Sequence, residues 1–314
     1  MKKSIGTVFI TFVFLSVLLS ACAPAATSIP PTPTSTPVKP VDFLETSDAY
    51  LGQTPPGEVP IVFAPDVVSV PGKKVATLTF SPDGRQCIFY IEDYPHSYAL
   101  FTEFRDGKWT TPIKAWFSET RPVVEPMFSS DGKRIYFSSN ERSTAVGGFD
   151  LWYIEREGTS WSAPVNLGSL VNSFEDEFHP SPVADGSIYF TNSRGNIVRS
   201  QYTNGKYLER FVLPAPINLE SNPNGVSWGD PYVSQDESYM IFKSNRSGGK
   251  GGYDNYISYR NADGSWSEPK NLGPTINSAF NETAGDISPD GKYLFFGRDS
   301  LIYWVSADFI STLR

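Results

Sequence analysis

Histidine, basic residues and long apolar runs are all scarce in this chain, and each scarcity argues against a class of function. The 314 residues include two histidines, His96 and His179, too few for a zinc site built from several histidines. Lysine and arginine total 26 against 34 aspartate and glutamate residues, without a basic cluster, so nucleic acid is not an expected partner. The apolar stretch from Ile5 to Leu19 is too short and too near the N-terminus for a membrane-spanning helix.

That apolar stretch instead has the features of a processing signal. Lys2 and Lys3 precede it, and it ends in the sequence Leu19-Ser20-Ala21-Cys22. This ending resembles the lipobox of bacterial lipoproteins. The resemblance implies that a signal peptide, residues 1–21, is removed and that the thiol and new amino group of Cys22 receive lipid, palmitate included. The alternative is an ordinary secretory signal that contains a cysteine by chance.

Residues 22–41 are rich in proline and threonine and carry almost no charge, so we expect an extended tether. Each buried methylene of a lipid contributes about 0.8 kcal/mol, and more than one chain is needed for stable anchoring. Multiple acylation of Cys22 would therefore hold the protein on a membrane, at the extracytoplasmic face, in the periplasm or at the cell surface. Cys87 is then the remaining cysteine, so no intrachain disulfide is expected, and its apolar neighbours predict that it is buried.

Residues 42–314 contain a repeat that predicts the fold. Strand-like runs flank an Asp-containing turn, and this turn recurs at intervals of about 50 residues, a period typical of β-propellers. We expect one all-β domain, a β-propeller of five four-stranded blades, with six blades as the alternative if residues 42–75 hide an irregular one. The turn residues are Ser81-Pro82-Asp83-Gly84, Ser129-Ser130-Asp131-Gly132, Ala184-Asp185-Gly186, Ser234-Gln235-Asp236-Glu237 and Ser288-Pro289-Asp290-Gly291.

The last repeat provides a test of this count, because it lacks its outermost strand. Two strand-like runs, Tyr293–Phe296 and Leu301–Ser306, follow the last turn, and only a short tail remains. The segment Pro60–Pro65 has the same proline spacing as Pro269–Pro274, the outermost strand of the fourth repeat. The N-terminal strand should therefore complete the last blade, which would close the ring and remove its exposed edges.

Two segments carry a family resemblance. The run Ser288 to Phe296, and the run Ser244 to Asp254 leading into Trp266-Ser267-Glu268-Pro269, resemble the WD40-like repeats of TolB-type envelope proteins. The resemblance spans roughly residues 54–306. It implies a propeller that serves as a binding or protein-interaction scaffold in the cell envelope, and it names no ligand.

Aligning the repeats on their turn aspartates places polar residues at the start of the innermost strand of several blades. These strands converge on one mouth of the central channel, so the residues could share a site for a small polar ligand or a hard cation such as Ca²⁺. No other cofactor is expected. The structural alternative is that each side chain bonds backbone amides within its own repeat. The candidates are Glu125, Glu177, His179, Asp230, Glu282 and Asp286.

These observations favour a binding protein, expected to be a monomer, with an envelope protein or a glycan as its partner. A carbohydrate-active hydrolase or lyase is the alternative, because paired carboxylates such as Glu177 with Asp230, or Glu125 with Glu282, could serve as acid and base. The same carboxylates recur at repeat-equivalent positions, so we expect a non-enzymatic role.

Overall fold

The structure is a computed structural model that describes residues 42–141, 144–219, 229–283 and 285–314. The expected signal peptide, the tether and Cys22 lie outside these ranges. No helix among the described residues has the length and apolar character needed to cross a membrane. The helical elements are single turns, at Phe43–Glu45, Ala49–Gly52, Trp116–Ser118 and Phe309–Thr312.

The strands form five antiparallel blades, as predicted, and we letter the strands of each blade a to d from the channel outward. Blade one has strands Val75–Phe80, Gln86–Ile91, Tyr98–Arg105, and Lys108–Trp109 with Ile113–Lys114. Blade two has Val124–Phe128, Arg134–Ser139, Asp150–Glu157, and Ser160–Trp161 with Val165–Asn166. Blade three has Glu177–Pro182, Ile188–Asn192, Ile197–Ser200 and Phe211–Val212, plus the side hairpin Tyr202–Thr203 and Lys206–Tyr207. Blade four has Tyr232–Val233, Tyr239–Ser244, Asp254–Tyr259 and Lys270–Asn271, and blade five has Glu282–Thr283, Tyr293–Arg298, Leu301–Ser306 and Ile61–Val62.

The N-terminal strand closes the ring as predicted. Ile61 pairs with Trp304 and Val62 with Tyr303, in antiparallel register. The hydroxyl of Ser69 adds to the junction by donating to the carbonyl of Ile302 and accepting from its amide. Residues 42–75 contribute this one strand and no further blade, so the six-bladed alternative is wrong.

The outer strand of blade two is interrupted. It consists of two pairs of residues, Ser160–Trp161 and Val165–Asn166, which both pair with strand c. Pro164 lies between the two pieces and has no amide hydrogen to donate to the ladder.

Among the described residues, the core consists of one apolar cluster at each blade junction and a sixth, smaller cluster formed by residues of blades one and two. The junction of blades five and one contains Phe63, Phe89 and Trp304, each at most 1% exposed. Its rings pack edge to face, with the Phe63 and Trp304 centroids 5.1 Å apart. Cys87 belongs to the same cluster and is fully buried, as predicted.

Strands a carry the irregularity that shapes the channel. The register of strands a and b shifts in blades one, two and three, between Val75 and Leu78, Val124 and Met127, and Phe178 and Ser181. A bulge of this kind bends a strand and re-aims a side chain. The bulged residues therefore differ in direction from the regular strand residues on either side.

Candidate functional site

Three of the six candidate residues occupy equivalent backbone positions and converge on one point. Glu125, His179 and Asp230 belong to neighbouring blades, and all three have positive φ angles, of 54°, 52° and 37°. One ligand atom from each side chain lies within 4.8 Å of those of the other two. A left-handed conformation costs a non-glycine residue about 1–2 kcal/mol. Strain of this kind, repeated at equivalent positions, is typical of a ligand site.

The carboxylates of this group are held by specific donors. Glu125 Oε2 accepts the backbone amide of His179 at 2.7 Å, and its Oε1 lies 3.6 Å from the His179 Nδ1. Asp230 Oδ2 forms an ion pair with the ammonium group of Lys243, which comes from strand b of blade four. The amide of Asp230 donates to the hydroxyl of Thr191 at 2.8 Å.

The charges of the group stabilise one another against burial. Burial alone would raise the pKa of Asp230, but the positive charges of Lys243 and His179 hold it below its usual value. Burial would lower the pKa of Lys243, but the charge of Asp230 raises it. Burial would also lower the pKa of His179, but Glu125 and Asp230 raise it. The carboxylate of Asp230 and the ammonium of Lys243 are therefore both charged at neutral pH.

The imidazole of His179 stands out within this group. The residue is 3% exposed, and neither ring nitrogen has a hydrogen-bond partner among the described residues. A contact of 3.6 Å to Glu125 is too long for a hydrogen bond. A buried polar group without a partner costs about 1–3 kcal/mol, so this imidazole is the group in the site that most needs a partner.

A cavity of about 660 Å³ opens above Glu125 and Asp230, on the face where strands a begin. We call it the central cavity and that face the upper face. Aromatic rings form much of its wall, and residues of blades one and five form the side at the ring closure, Val75 and Thr283 among them. The aromatic residues of the lining are Tyr90, Tyr94, Phe149, Phe178, Tyr253 and Phe280.

Most charges on the cavity wall are paired. Lys74 and Glu92 form an ion pair at 2.6 Å, and Arg298 and Glu282 form one at 3.0 Å. The cavity therefore combines apolar ring faces with charged donors and acceptors, most of which are paired with each other.

Glu177 and Glu282 hold their own repeats together, as the structural alternative predicted. Glu177 accepts hydrogen bonds from the amide and hydroxyl of Ser173, and Glu282 accepts the same two bonds from Ser278. Burial raises the pKa of Glu177 to about 7, although the bonds from Ser173 oppose this shift. Neither glutamate belongs to the group formed by Glu125, His179 and Asp230, although Glu282 lines the central cavity.

Asp286 lies apart from the other candidates. It lines a separate cavity of about 130 Å³ with Thr79, Met127 and Ser181. Burial raises the pKa of its carboxyl to about 7, although bonds from Thr79 and the amide of Ile287 oppose the shift. The six predicted residues thus divide into one convergent group, two repeat-stabilising glutamates and one separate buried acid.

Sequence reasoning missed Lys243 and the aromatic wall. Lys243 directly follows the apolar run Tyr239–Phe242, and a lysine in an otherwise apolar strand is a signal that could have identified it. Tyr94 and Phe149 come from loops between strands b and c, which the alignment on strand a does not cover.

Comparison with known proteins identifies similar folds and does not identify a function. No protein-family model matches the sequence, and no curated protein does. A putative TolB from Agrobacterium tumefaciens is 16% identical, covering 75% of this chain and 72% of its own, with a TM-score of 0.47. A thermostable family-43 glycoside hydrolase is 13% identical, covering 76% and 91%, with a TM-score of 0.50. A GH62 hydrolase solved with xylotriose is 9% identical, covering 79% and 97%, with a TM-score of 0.50.

Identities this low show the fold alone. The chain is a five-bladed all-β propeller, and its fold is similar to that of the two glycoside hydrolases. Such a likeness does not assign a function, so the function has to be argued from the site.

Proposed function

We propose that the protein is a binding propeller that takes an uncharged, polyhydroxylated ligand, a saccharide, in the central cavity. The observation that supports this most is the combination of aromatic walls with a floor of charge-balanced donors and acceptors. A volume of about 660 Å³ lies within the usual range for small-ligand sites of about 300–1,000 Å³.

The chemistry of the wall suits this ligand class. Sugar rings present apolar C–H faces to aromatic rings and hydroxyl groups to carboxylates, amides and ammonium groups. Tyr94 is 71% exposed, and its ring centroid lies 6.3 Å from that of Phe149. Paired charges on the wall disfavour a strongly charged ligand, because most of these side chains already have a counter-ion.

We also propose that the protein is anchored by lipid on Cys22 at the extracytoplasmic face of a membrane. The lipobox-like sequence and the uncharged tether support this proposal. Labelled palmitate should be incorporated into the chain in cells and not into Cys22→Ala. Incorporation that survives the substitution would contradict the proposal.

A carbohydrate hydrolase is the second candidate, and one observation favours it. Ligand oxygens of Glu125 and Asp230 lie within 4.8 Å of each other, and retaining glycosidases place their two carboxyl groups about 5–5.5 Å apart. Such an enzyme needs one protonated carboxyl as its acid. Asp230 cannot fill this role, because Lys243 and His179 hold its pKa below the usual value, so the acid would have to be Glu125. The binding role needs no protonated carboxyl and is preferred.

The test is a screen of the purified chain against neutral oligosaccharides, followed by titration calorimetry of any compound that raises the melting temperature. Tyr94→Ala should weaken binding about tenfold, because it removes an exposed stacking ring at little cost to the fold. Phe174→Ala is the matched control, because Phe174 is 84% exposed and lies outside the cavity lining.

Three results would decide against the proposal. The first is a screen in which no neutral saccharide raises the melting temperature, and the second is binding by both variants that equals that of the wild type. Release of reducing ends that disappears in Glu125→Gln would support the hydrolase instead.

A further inference from the structure

The group at the floor of the central cavity has the donor set of a metal site. Glu125 and Asp230 offer carboxylate oxygens and His179 offers an imidazole nitrogen, with the three atoms within 4.8 Å of one another. Ligand atoms of zinc and similar ions lie about 2.0–2.2 Å from the metal, so small side-chain rotations would close this triangle around one ion.

The surroundings of the two carboxylates resemble those of ligating carboxylates. One oxygen of each already accepts from a group other than the three proposed ligand atoms. Glu125 Oε2 accepts the amide of His179, and Asp230 Oδ2 is paired with Lys243. Partners of this kind orient metal-binding side chains and leave the second oxygen of each carboxylate for the ion.

The imidazole distinguishes a metal site from a closed network of ion pairs. In such a network a protonated His179 would donate two hydrogen bonds. Its Nδ1 lies 3.6 Å from Glu125 Oε1, and neither ring nitrogen is bonded to any described residue. The ring is 3% exposed, so a partner for its nitrogens has to lie inside the protein.

We propose that Glu125, His179 and Asp230 bind one divalent transition-metal ion of the zinc or manganese class. An imidazole donor beside carboxylates suits these ions. Ca²⁺, expected from the carboxylates alone, fits less well because it takes oxygen ligands. This site lies below the proposed saccharide position and does not depend on saccharide binding.

The experiment uses the purified full chain, stripped with a chelator and titrated with Zn²⁺, Mn²⁺, Ca²⁺ and Mg²⁺ by calorimetry. We expect one Zn²⁺ or Mn²⁺ per chain with a Kd of about 10 μM or lower, and weaker binding of Ca²⁺ and Mg²⁺. His179→Ala should weaken binding at least about a hundredfold, and His96→Ala, on an exposed loop, should not change it.

A second measurement covers the case in which His179→Ala does not fold. The chain has two histidines, so its ¹⁵N-labelled imidazole spectrum contains two easily separated sets of signals. On the wild-type chain, Zn²⁺ should move the His179 nitrogens and leave those of His96 in place. The proposal is wrong if the His179 signals stay in place at saturating Zn²⁺, if binding is weaker than about 100 μM, or if His179→Ala binds equally well. Each of these results would mean that the three residues form a network of ion pairs and no metal site.

Discussion

Two glycines in one loop of blade four lack a side chain for different structural reasons. Gly248 has a φ of +94° and open space where a Cβ would lie. A Cβ on Gly251 would lie 1.9 Å from the carbonyl oxygen of Phe280, in the loop that precedes blade five. The first glycine serves backbone conformation, and the second permits close approach of two loops.

Gly251→Ala should therefore cost more stability than Gly248→Ala. We expect a loss of about 2–3 kcal/mol for Gly251→Ala, because the carbonyl oxygen that the new Cβ would meet belongs to the backbone and cannot rotate away as a side chain could. Gly248→Ala should cost about 1 kcal/mol, from left-handed strain alone. Urea denaturation of both variants measures the difference, and equal losses would show that the two loops are not packed as described.

We also expect a single residue, Asp286, to make the stability of the protein depend on pH. The carboxyl has an ordinary pKa of 3.8 and a folded pKa of about 7. The folded state therefore binds the proton more tightly, so the contribution of Asp286 to stability is full below about pH 4 and is lost as pH rises through about 7. Asp286→Asn cannot ionise, so its stability should not decrease for this reason as the pH rises.

The measurement is urea denaturation of wild type and Asp286→Asn at pH 4.5 and pH 8. The free energy of unfolding of the variant relative to the wild type should rise by about 2–4 kcal/mol between these values. A difference that does not change with pH would mean that the carboxyl is solvated and titrates normally.

The residue scale also shows what alignment of the repeats could predict about the site. It found Glu125, His179 and Asp230 because each lies six residues before the turn aspartate of its repeat. It could not separate them from Glu177, since that distinction depends on the side chain turning back to Ser173. The alignment missed Lys243 because this lysine belongs to strand b, a different part of the repeat.

At the scale of elements, a repeated polar clamp holds each loop between strands d and a against strand c. In blade four, Asn277 accepts the amide of Asn255 at 2.8 Å and donates to its carbonyl at 2.9 Å and to Asn271 at 2.8 Å. Blade two repeats the arrangement with Asn172, Leu151 and Asn166. The clamp fixes the loops that carry Ser173 and Ser278.

Asn277→Ala should destabilise the protein by about 2–4 kcal/mol, because it leaves buried partners on strand c without hydrogen bonds. The matched control is Asn261→Ala, in an exposed turn where the side chain bonds only the hydroxyl of Ser265. Its cost should stay within about 0.5 kcal/mol. Chemical denaturation compares the two, and a small loss for Asn277→Ala would contradict a structural role of the clamp.

Elements were the most predictable level of this molecule. Alternation of apolar residues and turn chemistry predicted strands such as Leu301–Ser306 with their observed bounds. The outer strands were less predictable because pairing there is short and is interrupted at residues such as Pro164. The helical turn Ala49–Gly52, in which Tyr50 and Leu51 have positive φ angles, has no local signal, since it is stabilised by packing of Tyr50 beside blade five.

At the scale of the whole molecule, everything proposed for the central cavity depends on ring closure. Val75 of blade one and Thr283 of blade five line the same wall, and they are neighbours only because the N-terminal strand completes blade five. The proline spacing of Pro60–Pro65 predicted this closure from sequence. The distances within the site could not be predicted, because they follow from the twist and number of blades together.

Formation of a disulfide across the closure tests this claim most directly. Val62 and Tyr303 are paired across the two strands, and opposed residues of antiparallel strands are close enough for a disulfide. Val62→Cys with Tyr303→Cys should therefore oxidise almost completely, increase mobility on a non-reducing gel and raise the melting temperature. Ile61→Cys with Tyr303→Cys, shifted by one residue so that the side chains lie on opposite faces, should remain reduced. Equal oxidation of the two pairs, or none in the first, would contradict a five-bladed ring closed by its N-terminal strand.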